Sequence, residues 1–149
     1  MATVETRTAN LSKIREEIKQ AFGKVPGWVN EMPPSALEGF WLTMRDFQLG
    51  ETTIPNKYKE LIGLAVSGAT RCKYCALFHT EAAKLFGATD EEIREAALMA
   101  AHTMSASTFV NAMQIDYDDF RRETLEAIAY VRRQAPKAQA SSSSSRAHA

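Results

Sequence analysis

The sequence predicts an all-α domain of about six or seven helices. Three observations carry that prediction. Apolar residues recur at helical spacing in successive stretches. No stretch alternates with period two, and no Asn-Gly or Asp-Gly pair marks a hairpin. Glycines, prolines and capping residues fall between the periodic stretches and punctuate them.

Leu11, Ile14, Ile18 and Phe22 share one face of a first helix, which Gly23 closes. Pro26, Gly27, Pro33 and Pro34 mark a loop. From Ser35 to Leu49 a second helix carries Leu37, Phe40, Trp41, Met44 and Phe47 on its stripe and stops at Gly50. Leu42 and Leu49 fall off that stripe and suit a second buried face, such as a subunit contact. Pro55 fits the first turn of a third helix, where its missing N–H is no loss. That helix, to about Thr70, is apolar nearly all round through Leu61, Ile62, Leu64, Ala65, Val66 and Ala69, and is expected at the centre of a core. Gly63 and Gly68 lower its propensity and are expected to permit close helix packing.

A break at Thr70 and Arg71 precedes a helix that starts at Cys72-Lys73-Tyr74-Cys75 and ends at Gly87. Thr89-Asp90-Glu91-Glu92 reads as a capping box. Ile93, Ala96, Ala97, Ala100, Ala101 and Met104 form the next stripe, which Ser105 to Thr108 are expected to interrupt before a short helix over Phe109 to Ile115. Asp116 caps a last helix with Tyr117, Phe120, Thr124, Ala127 and Val131 inward. The folded domain is placed at residues 1–133. Residues 134–149, rich in Ala, Gln and Ser, are expected to be a disordered tail.

Composition narrows the function. The 149 residues suffice for one domain with a core of its own. Lys plus Arg and Asp plus Glu balance at 18 each, so no basic field invites nucleic acid. No run of eighteen apolar residues suggests a membrane span, and the first residues lack a basic segment followed by an apolar one. The expected location is the cytoplasm. Two cysteines three apart do not make a secreted disulfide framework; in a cytoplasmic chain they point to redox chemistry or metal binding.

Cys72 and Cys75 stand at i, i+3 and Cys75 and His79 at i, i+4, so one helix carries all three on one stripe. At a helix start the sulfurs meet unpaired N–H groups and the positive dipole end, which favour the reactive thiolate. His79 is the natural base for Cys75. Glu60 lies twelve residues before Cys72, about 18 Å away on a continuous helix, and reaches the dithiol only if the chain turns back between Gly68 and Arg71. An unpaired carboxylate in so apolar a helix is costly to bury, so Glu60 either faces solvent or serves the site. Other readings stand beside this one. The cysteines can be small buried hydrophobes. Cys72, Cys75, His79 and Glu60 can supply four zinc ligands. His79 can be a surface histidine and Tyr74 a packing residue. His102 reads as an ordinary packed or capping histidine, and His148 sits in the tail.

Glu60-x11-Cys72-x2-Cys75-x3-His79 resembles the signature of the AhpD-like alkylhydroperoxidase branch of the carboxymuconolactone decarboxylase superfamily. The likeness spans roughly residues 35 to 120 and is strongest over 60 to 87. It implies that Cys75 attacks a hydroperoxide and becomes a sulfenic acid. Cys72 supplies a proton and then resolves Cys75 as a disulfide. Glu60 and His79 form a proton relay, and no metal, haem or flavin is needed. The resemblance further implies a homo-oligomer, trimeric or hexameric, and an electron donor that is a dithiol, such as a lipoyl-bearing protein. Tyr74 stands where that branch carries a histidine. A tyrosine titrates near 10 and does not shuttle protons at neutrality, although its hydroxyl can orient water. Lactone decarboxylation has no use for two vicinal thiols, so the pair argues against the parent activity. A dithiol reductase without peroxidase activity and a non-catalytic scaffold are the remaining alternatives.

Overall fold

A computed structural model describes the backbone of residues 4–145 and the side chains of residues 10–134. Among the described residues there are seven α-helices and no strand: α1 (Val4–Phe22), α2 (Gly27–Asn30), α3 (Pro34–Leu42), α4 (Asn56–Ala69), α5 (Lys73–Leu85), α6 (Asp90–Ala112) and α7 (Tyr117–Ser145). None is long and apolar enough to cross a membrane. The chain divides into two compact units, one ending at Ala101 and the other beginning at His102.

The first unit has its core where α1, α2 and α3 meet. Ile14, Ile18, Val29, Leu37 and Trp41 are buried together, with Leu11, Val25, Met32 and Met44 packed around them. The Trp41 indole N–H would be costly to bury alone; it donates to Glu17 at 2.8 Å, and Arg45 reaches the same carboxylate at 2.8 Å. The stripe predicted from Ser35 to Leu49 is one helix only to Leu42. A π-helical turn follows from Thr43 to Gln48 and rotates Phe47 out to solvent. Its last carbonyls find side-chain donors: Lys59 binds the carbonyls of Phe47 and Gly50, and Asn56 that of Leu49 at 2.8 Å. Those partners come from a distant segment, so the change of pitch has no local signal.

α4 packs chiefly against α5, which runs back along it. Pro55 is the residue before the first turn of α4 rather than within it, extended at ψ 145° as are Pro26 before α2 at 143° and Pro33 before α3 at 134°. The expectation that α4 lies at the centre of a core is not met within the single chain. Ile62 and Val66 are 54 % and 56 % exposed, and the buried positions are Glu60, Leu64 and Ser67, the face toward α5. Of its two glycines only Gly63 marks a close approach; a β-carbon at Gly68 would meet nothing within 4 Å.

A glycine closes the C-terminal end of α5. Gly87, at φ 83°, donates to Lys84 and Ala88 donates to Ala83, each at 2.9 Å, which closes the helix. The capping box then opens α6 as predicted: Glu92 N–H donates to Thr89 Oγ1 at 3.1 Å and Thr89 N–H to the Glu92 carboxylate at 2.8 Å. Glu92 also accepts from Lys57 at 2.7 Å, which ties α6 to the start of α4.

α6 does not break at Ser105 to Thr108. It runs unbroken to Ala112, because hydroxyls there bond back within the helix, as Thr108 does to the Met104 carbonyl at 2.8 Å. In the second unit Asp116 caps α7 through the Asp119 N–H at 2.9 Å, as predicted. Tyr117, Phe120 and Val131, expected inward, are exposed. The α7 backbone continues past residue 133, where the sequence ends the folded domain. Beyond Gln134 the side chains of the expected tail, His148 among them, lie outside the described residues.

Candidate active site

The site is built on the turn between α4 and α5. Thr70 ends α4, and Arg71 takes a left-handed conformation at φ 58°. Arg71 N–H then donates to the Gly68 carbonyl at 3.1 Å and Cys72 N–H to the Ser67 carbonyl at 2.9 Å. This is a helix C-terminal closure of the kind glycine usually makes. Cys72 is therefore held from behind by α4 while it serves as the residue that starts α5, with its carbonyl accepting Ala76 N–H at 2.9 Å. The residue that begins α5 is thus bonded back to the last turn of α4, and that fixes the dithiol against α4.

Cys72 and Cys75 are free thiols with their sulfurs 3.2 Å apart, too far for a disulfide and close enough for an S–H···S contact. Cys72 is half-buried and Cys75 exposed. Their titrations are pushed apart. The Cys75 N–H holds the Cys72 thiol below its ordinary range, with further help from the Cys75 thiol and the Tyr74 N–H. Cys72 shifts Cys75 the other way: the contact between the two sulfurs raises the Cys75 thiol, and desolvation adds to that. Of the two, Cys72 is the cysteine whose thiolate the site favours, as unpaired N–H groups at a helix start do.

Behind the sulfurs the chain does turn back, and Glu60 lies against α5. His79 and Glu60 are joined by a hydrogen bond of 2.6 Å between Nδ1 and Oε2. Glu60 is wholly buried, 0 % exposed, and its other oxygen, Oε1, has no protein partner. An ionised carboxylate only accepts, so with Glu60 ionised Nδ1–H is the donor and Nε2 is left as the acceptor nitrogen. Among the described residues no hydrogen bond joins His79 to either sulfur, so the structure pairs His79 with Glu60 and the two thiols with each other. Tyr74 is 76 % exposed beside the dithiol in the sequence, its ring near Lys73 Nζ, 5.2 Å from the centroid. Its hydroxyl makes no hydrogen bond among the described residues. His102 is exposed in the second unit.

The four-ligand zinc reading fails on geometry. Among the described residues no group of three or more His, Cys, Asp or Glu is disposed to hold a metal ion. Two residues that shape the site carry no chemical signal of their own. Ser67 is buried, donates to the Gly63 carbonyl at 2.6 Å and offers its own carbonyl to Cys72. Arg71 bends the turn. The spacing of Glu60, Leu64 and Ser67, at i, i+4 and i+7, is the pattern from which the inward face of α4 can be read.

A family model described as the carboxymuconolactone decarboxylase family matches residues 36–116. The uncharacterized protein 4 in the cox locus of Paracoccus denitrificans is 27% identical over 78 residues, which is 52% of this chain and 70% of that protein. The crystal structure of the alkylhydroperoxidase AhpD core from Rhodospirillum rubrum superposes with a TM-score of 0.63 at 28% identity, covering 80% of this chain and 91% of that one. A structural-genomics protein from Methanobacterium thermoautotrophicum gives a TM-score of 0.51 at 33% identity, covering 59% and 97%.

Proposed function

The chain belongs to the carboxymuconolactone decarboxylase family, and from that premise we propose that it is a thiol-dependent alkylhydroperoxidase and disulfide oxidoreductase of the AhpD-like kind. The observation that carries the reading is the 3.2 Å contact between Cys72 and Cys75 at the start of α5. The buried Glu60–His79 pair on the same two helices supports it.

The steps follow from the contact between the two sulfurs. The Cys72 thiolate takes the proton of Cys75 across the sulfur–sulfur contact. Cys75 Sγ gives an electron pair to the terminal oxygen of the hydroperoxide, the O–O bond breaks, and the alkoxide leaves with the proton now on Cys72. Cys75 is then a sulfenic acid and Cys72 a thiolate again. Cys72 attacks Cys75 Sγ, the S–S bond forms, and hydroxide departs as water with a proton taken from solvent, for which His79 Nε2 can serve as the relay. Two electrons have passed from the dithiol to the peroxide. Exchange with an external dithiol, such as a lipoyl-bearing protein, returns them. Glu60 acts through His79, holding its Nδ1–H and keeping Nε2 available to move protons. Tyr74 meets the incoming substrate or donor at the mouth.

We further propose a homo-oligomer, trimeric or hexameric. Ile62, Val66 and Leu98 in the first unit and Phe109, Met113 and Ile128 in the second are all exposed in the single chain, and a second copy is the occupant that would cover them. Light scattering on the purified protein reads the assembly.

A second reading, a dithiol reductase without peroxidase activity, is favoured by the exposed Tyr74 in place of a proton-carrying histidine. Mass spectrometry of reduced protein after one equivalent of an organic hydroperoxide separates the two. The peroxidase reading expects a rapid Cys72–Cys75 disulfide, and a trappable sulfenic acid on Cys75 in Cys72→Ser. Oxidation no faster than that of a free thiol removes the peroxidase reading and leaves the reductase and the non-catalytic scaffold to be separated.

A further inference from the structure

Gly63 stands at the centre of α4, where a glycine weakens a helix relative to alanine. No turn or positive φ calls for it there. Its neighbour across the helix pair supplies the reason. A β-carbon built on Gly63 would come within 2.7 Å of three atoms of the His79 imidazole, Cε1, Nδ1 and Nε2. Separations under about 3 Å lie well inside the ordinary 3.5–4.0 Å contact range. The obstacle is a ring that cannot simply yield. His79 sits on α5, whose start is tied to α4 through Cys72 N–H and the Ser67 carbonyl at 2.9 Å, and its Nδ1 is held by Glu60 at 2.6 Å. The α4 backbone is braced at the same point, since Ser67 Oγ donates to the Gly63 carbonyl at 2.6 Å.

We infer that Gly63 is a positioning residue for the site: the space left by its missing side chain seats the His79 imidazole, and a β-carbon there forces the ring away from Glu60. The consequence for chemistry rests on the dithiol reading above, whereas the seat itself does not. Gly68 of the same helix, open on all sides, shows that the requirement belongs to position 63 and not to α4 at large.

A double-mutant cycle on the reduced full-length protein tests this, with Gly63→Ala, His79→Ala and the pair, read by thermal unfolding. Alanine suits a helix interior better than glycine, so without the ring the substitution should stabilise. Gly63→Ala is expected to lower the parent midpoint by about 4 °C or more and to raise that of His79→Ala. A Gly63→Ala chain that folds only alongside His79→Ala is the same result in stronger form. Equal shifts in both backgrounds would overturn the inference.

The second readout is the nuclear magnetic resonance signal of the hydrogen-bonded His79 Nδ1 proton. It should be present in the parent and lost in Gly63→Ala, together with a fall in the rate of hydroperoxide-driven disulfide formation. A retained signal, or an unchanged rate after its loss, overturns the role. A parent inert to hydroperoxide refutes the peroxidase reading alone, and the cycle and the Nδ1 signal still decide on Gly63.

Discussion

His79 Nδ1 and Glu60 Oε2 lie 2.6 Å apart between α4 and α5, and the carboxylate is closed off from solvent completely. A buried carboxylate with one oxygen on an imidazole and the other unpartnered is held at a cost.

Glu60→Gln keeps the shape and removes the charge that orients His79. Hydroperoxide-driven disulfide formation is expected to slow by roughly a hundredfold, the lower end of what general acid–base catalysis contributes, with the fold intact. Glu60→Ala should in addition cost about 1–3 kcal/mol, because it leaves the His79 N–H without its acceptor. Stopped-flow single turnover and denaturant unfolding read the two effects separately. Equal rates in the parent and Glu60→Gln would remove Glu60 from the relay.

The cysteines give a pH prediction with a definite sign. Cys72 is lowered and Cys75 raised from the ordinary thiol value. As pH falls below about 8.5, Cys72 therefore stays a thiolate after an ordinary thiol has protonated, and Cys75 is protonated throughout. Alkylation by iodoacetamide at neutral pH, located by peptide mass spectrometry, should label Cys72 first. Cys72→Ala removes the leading cause of the Cys75 shift, so Cys75 should then be alkylated from a lower pH. Cys75→Ala leaves the N–H at position 75 in place but takes away the thiol, so the Cys72 profile should move up only partway. Equal labelling of both cysteines in the parent contradicts this assignment.

Thr89→Ala separates stability from chemistry. Thr89 caps α6 and touches neither sulfur; its hydroxyl accepts the Glu92 N–H at 3.1 Å. Loss of such a cap costs about 1 kcal/mol. The unfolding midpoint should fall while the alkylation profile of Cys72 is unchanged.

These cases also show why some of the molecule was legible in the sequence and some was not. The capping box, the Asp116 cap, the closure at Gly87 and the dithiol at a helix start are local devices, complete within a few residues, and each was readable. The π-helical turn at Thr43–Gln48 depends on Lys59 and Asn56, donors from another helix, so no local pattern announces it. The hydroxyls of α6 read as a break because Ser and Thr are poor helix formers, yet they bond within the helix. The apolar character of α4 was visible, but which face is covered depends on what packs there. Within one chain that is α5 alone, leaving Ile62 and Val66 to solvent. Glu60 was a candidate by spacing, and its burial against His79 followed from a turn whose key residue, Arg71, has no turn signature.

That residue carries the last prediction. Arg71 is left-handed at φ 58°, a conformation that costs an L-residue with a β-carbon about 1 kcal/mol or more and costs glycine little. Its side chain is exposed and forms no ion pair among the described residues, so nothing on the side-chain side offsets the backbone. Arg71→Gly should therefore stabilise the reduced protein by about 1 kcal/mol, against which the added freedom of the unfolded chain works in part. Both hydrogen bonds of the turn, to Gly68 and Ser67, are made by the backbone and survive the change. Cys72 then keeps its place at the start of α5, and its early alkylation at neutral pH should persist. A lower unfolding midpoint in Arg71→Gly would mean that the arginine side chain contributes more than its backbone costs. Loss of the Cys72 preference with stability intact would instead assign the guanidinium a direct part in holding the thiolate.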